Sequence, residues 1–392
     1  MARRRGAQEG SIYQRADGRW AGAVHLGYRD GKRRRKVVYA ATRREVQGKV
    51  AAALRAHEQG IPLPSERLTV GAFLAGWLVT VRPTIRPSTF VSYEGHVRKH
   101  LTPGLGRIAL ARLTPTEIRA LLTAKLADGL SPRTVQYIHA VLRRALGEAL
   151  RDGLVARNVA TLVAPPRVRR PEVQPFSPDE ARTFLDAVAG DRLEGLYTVA
   201  LALGLRQGEA LGLRWQDVDL DTGALHVRMS LQPLPRDLRP EGAPRGSRLV
   251  LVEPKTARSR RTVTMPAVVV SALRQHRVQQ LQERLLAGSR WHEWGLVFTS
   301  TIGTPMEARN VSHRFQAILV AAGLPRIRFH DLRHSAATLM LAQGVSPRVV
   351  METLGHSTIG MTMNTYAHVI PALQQDAADL MDAILRPVAA LP

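Results

Sequence analysis

Residues 164–171, Ala164-Pro165-Pro166-Arg167-Val168-Arg169-Arg170-Pro171, divide this chain of 392 residues. Proline fixes φ, removes an amide donor and pushes the preceding residue out of the helical region. Three prolines in this stretch therefore exclude both a helix and a paired strand. The chain must fold as separate bodies joined by a stiff, basic connector. A shorter break is Pro62-Leu63-Pro64-Ser65. These breaks predict four regions, 1–62, 66–160, the connector 161–174, and 175–392. The hydrophobic fraction, 45%, suffices for packed cores.

Within the first region, residues 10–40 alternate short apolar runs with turn dipeptides, Asp17-Gly18 and Asp30-Gly31. Asp-Gly between β-rich runs signals a hairpin, so the pattern predicts a three-stranded sheet. A helix is expected over Thr42–Gln59, with Val46, Val50, Ala53 and Leu54 on one face. From Thr69 to Gly153 the spacing is helical in four segments: Thr69–Val81, Pro87–Leu101, Thr114–Asp128 and Ser131–Asp152. Thr114-Pro115 and Ser131-Pro132 open the last two as N-cap plus proline at the first helical position. Past the connector, Ser177-Pro178-Asp179-Glu180 caps another helix, and two more cover Glu194–Leu213. Short strands flank the Asp221-Thr222-Gly223 turn, a strand pair is expected around Glu253–Met265, and helices dominate from Ala267. The fold class is mainly α with small antiparallel β-sheets, in a multidomain chain.

Charge narrows the partner. Lys and Arg number 56 against 32 Asp and Glu, a formal +24. Such a surplus repels itself unless a polyanion neutralises it, and nucleic acid is the usual one. Residues 1–50 alone hold 14 basic against 4 acidic side chains. Arg33, Arg34, Arg35 and Lys36 on a strand, Arg133, Arg143 and Arg144 on a helix, and Arg169 and Arg170 in the connector are read as DNA contacts. The plainer alternative is a solvated charge run. With no cysteine, disulfides, thiolate metal sites and cysteine nucleophiles are excluded. No apolar run nears the ~20 residues of a membrane span. The N-terminal arginines lack the apolar stretch of a secretory signal. A soluble, cytoplasmic, nucleoid-associated protein without a membrane partner is expected.

The chemistry concentrates in four motifs. Gly204-Leu205-Arg206-Gln207-Gly208-Glu209 comes first; His330-Asp331-Leu332-Arg333-His334, Leu354-Gly355-His356-Ser357 and Asn364-Thr365-Tyr366 follow in that order. Paired arginines, histidines and one tyrosine are what a metal-free phosphodiester transfer through a covalent protein–DNA bond requires. Arg206 and Arg333 are the two donors assigned to the non-bridging oxygens, because the guanidinium fork matches them and never loses its charge. Glu209 is expected to orient Arg206. Tyr366 is the candidate nucleophile: a phenolate is a good leaving group, so its phosphodiester stays reactive toward a DNA hydroxyl. His330 and His334 also fit an i, i+4 zinc spacing, but Asp331 replaces the usual Glu and Arg333 would repel the cation. His334 is read instead as a buried structural partner, and no metal is expected.

These boxes, in this order, resemble those of the tyrosine site-specific recombinases. The likeness is strong over residues ~175–370, weaker over 69–155, which is similar to their helical core-site-binding domain, and residues 10–60 resemble the arm-site-binding domain of phage-type integrases. The resemblance implies that His330 assists proton transfer and His356 bonds the scissile phosphate. It also implies that Lys255, in Glu253-Pro254-Lys255-Thr256, is the general acid on a hairpin. It further implies double-stranded attachment-site DNA as partner, a homo-tetramer on that DNA, an accessory DNA-bending or directionality factor, and no cofactor. The amphipathic pattern after Pro371 (Leu373, Ala377, Leu380, Met381, Ile384) would form a tail helix docking on a neighbouring protomer. Two rival readings are a catalytically silent DNA-binding regulator of the same fold and topoisomerase-like relaxation.

Overall fold

The computed structural model describes residues 11–29, 32–58, 67–168, 174–238, 248–254, 259–355, 381 and 385. They fall into two units, 1–170 and 171–392.

The first unit begins with an antiparallel sheet of β1 (Ser11–Gln14), β2 (Trp20–Arg29) and β3 (Lys32–Ala40), in that order. Helix α1 (Arg43–Glu58) lies on it, and Val24, Val46, Val50 and Ala53 form their shared core. Gly22 allows this close approach, since a Cβ there would come within 2.4 Å of the Val50 side chain. β3 carries the basic run in register, with Arg35 opposite His25 and Lys36 opposite Val24.

A separate helical core follows. It is built by α2 (Val70–Val81), α3 (Pro87–His96), α4 (Thr102–Leu105), α5 (Pro115–Ala127) and α6 (Pro132–Arg151). A π-helical turn, Val97–Leu101, joins α3 to α4. The expected caps are in place: Thr114 and Glu117 form a capping box, and the Ser131 hydroxyl accepts from the Thr134 N–H. Val135, Ile138, Leu142, Ala145, Leu146 and Ala149 of α6 are buried, so the apolar stripe faces the core. Arg133, Arg143 and Arg144 are exposed.

The second unit packs α7 (Pro178–Val188), α8 (Glu194–Leu203), α9 (Gln207–Leu211), α10 (Ala267–Ala287), α11 (Ala308–Ala321), α12 (Asp331–Ala342) and α13 (Pro347–Leu354) around one core. Phe184, Tyr197, Phe315 and Phe329 form an aromatic cluster at its centre, with ring centroids 5.6–6.3 Å apart. Two small antiparallel sheets border it. One is ordered β4 (Val218–Asp219), β5 (Ala224–Val227), β8 (Arg261–Thr264); the other pairs β6 (Ser230–Pro233) with β7 (Leu249–Val252).

This arrangement corrects the expected strand pair around Glu253–Met265. The strands on either side of Lys255 do not pair with each other; β7 pairs with β6 and β8 with β5. Each finds a partner whose apolar residues it can cover, Leu225 and Val227 in one sheet and Leu231 in the other. A local hairpin would leave those residues uncovered. Among the described residues, no helix is long and apolar enough to cross a membrane.

Candidate active site

The described residues of the four motifs lie in the second unit. Helix α8 ends at Gly204, which takes a left-handed φ of +61°. A Cβ there would also meet the Leu354 side chain at 2.4 Å, so the position is closed to other residues twice over. Three residues link α8 to α9, and Arg206 is the extended N-cap of α9. That geometry turns its side chain back over its own helix, where Nη1 reaches Glu209 Oε1 at 2.5 Å and the backbone N–H reaches Oε2 at 3.1 Å. Arg206 Nη2 also donates to the Gly355 carbonyl, 3.3 Å away.

Glu209 is 3% exposed and holds two cations, since Arg261 Nη2 lies 3.1 Å from its Oε2. Burial pushes its carboxyl up, but Arg261 and then Arg206 more than reverse this and hold it below the ordinary carboxylate range. Glu209 therefore touches the arginine that it is expected to orient. Arg261 itself was not singled out by the sequence motifs. It sits in a run of arginines, where one more looks like surface charge. The usable signal was strand alternation: Arg261 shares a face with Val263 and Met265, both buried.

Arg333, on the first turn of α12, is 3% exposed and donates through Nη1 to the Gly204 carbonyl at 2.8 Å. His330 is the N-cap residue of that helix. The loop before it is clamped by Asp331, which accepts from Arg328 Nη2 at 2.7 Å, Nε at 3.0 Å and the Arg328 backbone N–H at 2.8 Å. Burial pushes the His330 imidazole down to about 4, and the charges of His334, Arg333 and Arg206 add to the effect. It is therefore neutral near pH 7. His334 stacks edge-on to His330, ring centroids 5.6 Å apart; it is half-buried, not enclosed as expected. It sits one turn further along α12 than His330.

Helix α13 closes the described part of the site. Gly355 caps it with φ +68°, and its last turn is held by two arginines, through Gly355 and through Thr353, whose carbonyl accepts from Arg261 Nε at 2.6 Å. His356, Tyr366, Lys255, Arg169, Arg170 and the expected tail helix lie outside the described residues, apart from Met381 and Leu385, which are helical and exposed. The structure thus brings together Arg206, Glu209, His330, Arg333 and His334. Two guanidiniums and a neutral imidazole fixed by buried partners can hold a phosphate and move a proton beside it.

Such an arrangement is suited to phosphoryl transfer, and the comparisons with known proteins agree. Residues 175–372 match the phage integrase family, and residues 69–126 match the N-terminal SAM-like domain of phage integrases. The chain is 32% identical over 364 aligned positions to a tyrosine recombinase XerC-like protein of Caldanaerobacter subterraneus subsp. tengcongensis, covering 90% of this chain and 93% of that one. It is 33% identical over 405 positions to an integrase of Streptomyces ambofaciens, covering 98% and 99%. In fold it is similar to the Tn1549 transposon integrase, solved with a circular intermediate DNA, at TM-score 0.64 and 21% identity over 79% of this chain and 99% of that one. The chain belongs to the phage integrase family: it is a tyrosine site-specific recombinase, an enzyme that cuts and rejoins DNA strands.

Proposed function

We propose that the protein integrates or excises a mobile element by the following division of labour. Arg206 and Arg333 bind the two non-bridging oxygens of the scissile phosphate, with His356 as a third donor. Tyr366 attacks phosphorus; its proton goes to His330, whose ring is neutral near pH 7 and gains proton affinity once the anionic phosphate lies beside it. The phosphorus–O5′ bond breaks, and Lys255 gives the departing oxygen its proton. The product is a 3′-phosphotyrosine and a free 5′-hydroxyl. A 5′-hydroxyl from the partner strand then reverses the step, so the bond is remade without a nucleotide cofactor.

Exchange between two duplexes cuts four strands, and each protomer carries one nucleophile, so four protomers act together on double-stranded attachment-site DNA. Residues 1–62 and 66–160 supply arm-site and core-site binding, through Arg33 to Lys36 on β3 and Arg133, Arg143 and Arg144 on α6. The protein acts in the cytoplasm on nucleoid DNA, with an accessory bending or directionality factor. The observation that carries the reading is that Arg206 and Arg333 are both anchored on one short stretch, Gly204–Glu209. The test is a nicked suicide substrate. Wild type should give an SDS-stable adduct, while Tyr366→Phe should bind the DNA and give none. An adduct formed by Tyr366→Phe would remove Tyr366 from the role, and absence of any adduct with wild type would favour the silent regulator.

A further inference from the structure

We propose that Arg261 is a positioning residue of the strand-transfer reaction, acting through Glu209 on Arg206 and through Thr353 on the end of α13. The inference rests on the recombinase reading and adds a residue to it.

The geometry assigns Arg261 no free edge. Its side chain is 6% exposed, and each of its three nitrogens has a protein acceptor: Nε the Thr353 carbonyl at 2.6 Å, Nη1 the Ser259 carbonyl at 3.2 Å, and Nη2 Glu209 Oε2 at 3.1 Å. An arginine tied in this way is not there to meet DNA. It joins three elements, β8, α9 and α13, that the sequence separates by dozens of residues.

The consequence for Arg206 is electrostatic. A buried carboxylate with a single arginine partner forms a neutral pair, and its charge cancels much of the field that the guanidinium offers a phosphate. With Arg261 on the second oxygen, Glu209 is shared between two cations and the trio keeps a net positive charge. Arg206 is thereby oriented by a carboxylate without being neutralised by it. The Thr353 bond adds a geometric role, since it fixes the helix end two residues before Gly355, whose carbonyl Arg206 also touches.

The proposal is tested with Arg261→Met, Arg261→Lys, Glu209→Gln and the double variant Arg261→Met/Glu209→Gln in the full-length protein. Single-turnover cleavage is measured at saturating enzyme, alongside DNA affinity. Loss of a group that orients another functional group costs about 10–100-fold in comparable outer shells. Arg261→Met should lower the cleavage rate by that order with DNA affinity little changed. Arg261→Lys, which keeps the charge on Glu209, should recover part of the rate. The double variant should lose less than the product of the two single losses, because the route through Glu209 is common to both. Arg192→Met, which breaks the half-buried Arg192–Glu283 pair elsewhere in the unit (2.5 Å), controls for mere destabilisation: it should lower the melting temperature while leaving cleavage intact below it.

Wild-type cleavage by folded Arg261→Met, a loss confined to affinity, or fully additive effects in the double variant would overturn the proposal. Should wild type itself form no adduct, the recombinase reading fails instead, so the two failures are separable.

Discussion

Arginine does different work in the two units. On α6, Arg133 lies over the Tyr137 ring at 4.6 Å and Arg144 over Tyr93 at 5.5 Å, and both guanidiniums are exposed to water. In the second unit, Arg333 and Arg261 are buried, and Arg206 is fastened to a carboxylate that is itself buried. Exposed guanidiniums exchange counterions for phosphates, and each contributes a modest, salt-dependent share of affinity. Buried ones are held in place before the substrate arrives, so the cost of ordering them is met in folding and the benefit falls on the transition state. On the proposed reading, the same residue type serves binding in one place and chemistry in the other, and burial separates the two.

The contrast can be broken in order of expected effect. Arg333→Lys keeps a charge but loses the fork and the Gly204 bond. Cleavage should fall by about 10²–10³, as for removal of other preorganised donors, while DNA affinity holds; a single-turnover assay with a parallel binding titration decides it. A parallel loss of affinity would mean that Arg333 serves binding, as is proposed for the α6 arginines.

Gly204→Ala forces a side chain into a left-handed backbone and against Leu354. A destabilisation of about 1–3 kcal/mol is expected, read as a lower melting temperature of the catalytic unit. An unchanged melting curve would show that the α8–α9 corner is not the rigid anchor described.

The third prediction concerns pH. Burial holds His330 at about 4, whereas in an unfolded chain histidine titrates near 6.5. The unfolded state therefore takes up the proton first. The stability that neutral His330 contributes is complete above about pH 6.5 and is lost as pH falls through about 4. An NMR titration of the His330 ring should follow the lower value; a midpoint near 6.5 would mean that the ring is solvated like a surface histidine.

The smallest effect belongs to the exposed set. Arg144→Ala should weaken DNA binding across sequences and reduce the salt slope by about 1, with cleavage at saturating enzyme unchanged. A slope that does not move would take Arg144 off the DNA and leave it as a partner of Tyr93 alone.

Much of this was legible in residue order because it depends on local rules. Ser177 with Glu180 and Thr114 with Glu117 cap helices by contacts three residues apart, and the α6 stripe needs only a period of 3.6. The motif boxes likewise named Arg206, Glu209, His330 and Arg333 before any coordinate. Two features were not legible. The pairing of β7 with β6 and β8 with β5 sets one long-range option against a local one. The pattern of each strand is compatible with both, so only the apolar faces brought in from elsewhere choose between them. Arg261 was hidden for a related reason, since a guanidinium in a basic run looks solvated until the carboxylate that buries it arrives from α9.

By itself, the sequence determined where most of the helices begin, that a polyanion is the natural partner, and which side chains could handle a phosphate, because each of these follows from neighbours along the chain or from composition. Tertiary structure alone decided which strands pair, that Glu209 is divided between Arg206 and Arg261, and that Gly204, Arg333 and the end of α13 meet. Those outcomes depend on distances between residues far apart in the chain, and only the packing of the whole unit sets such distances.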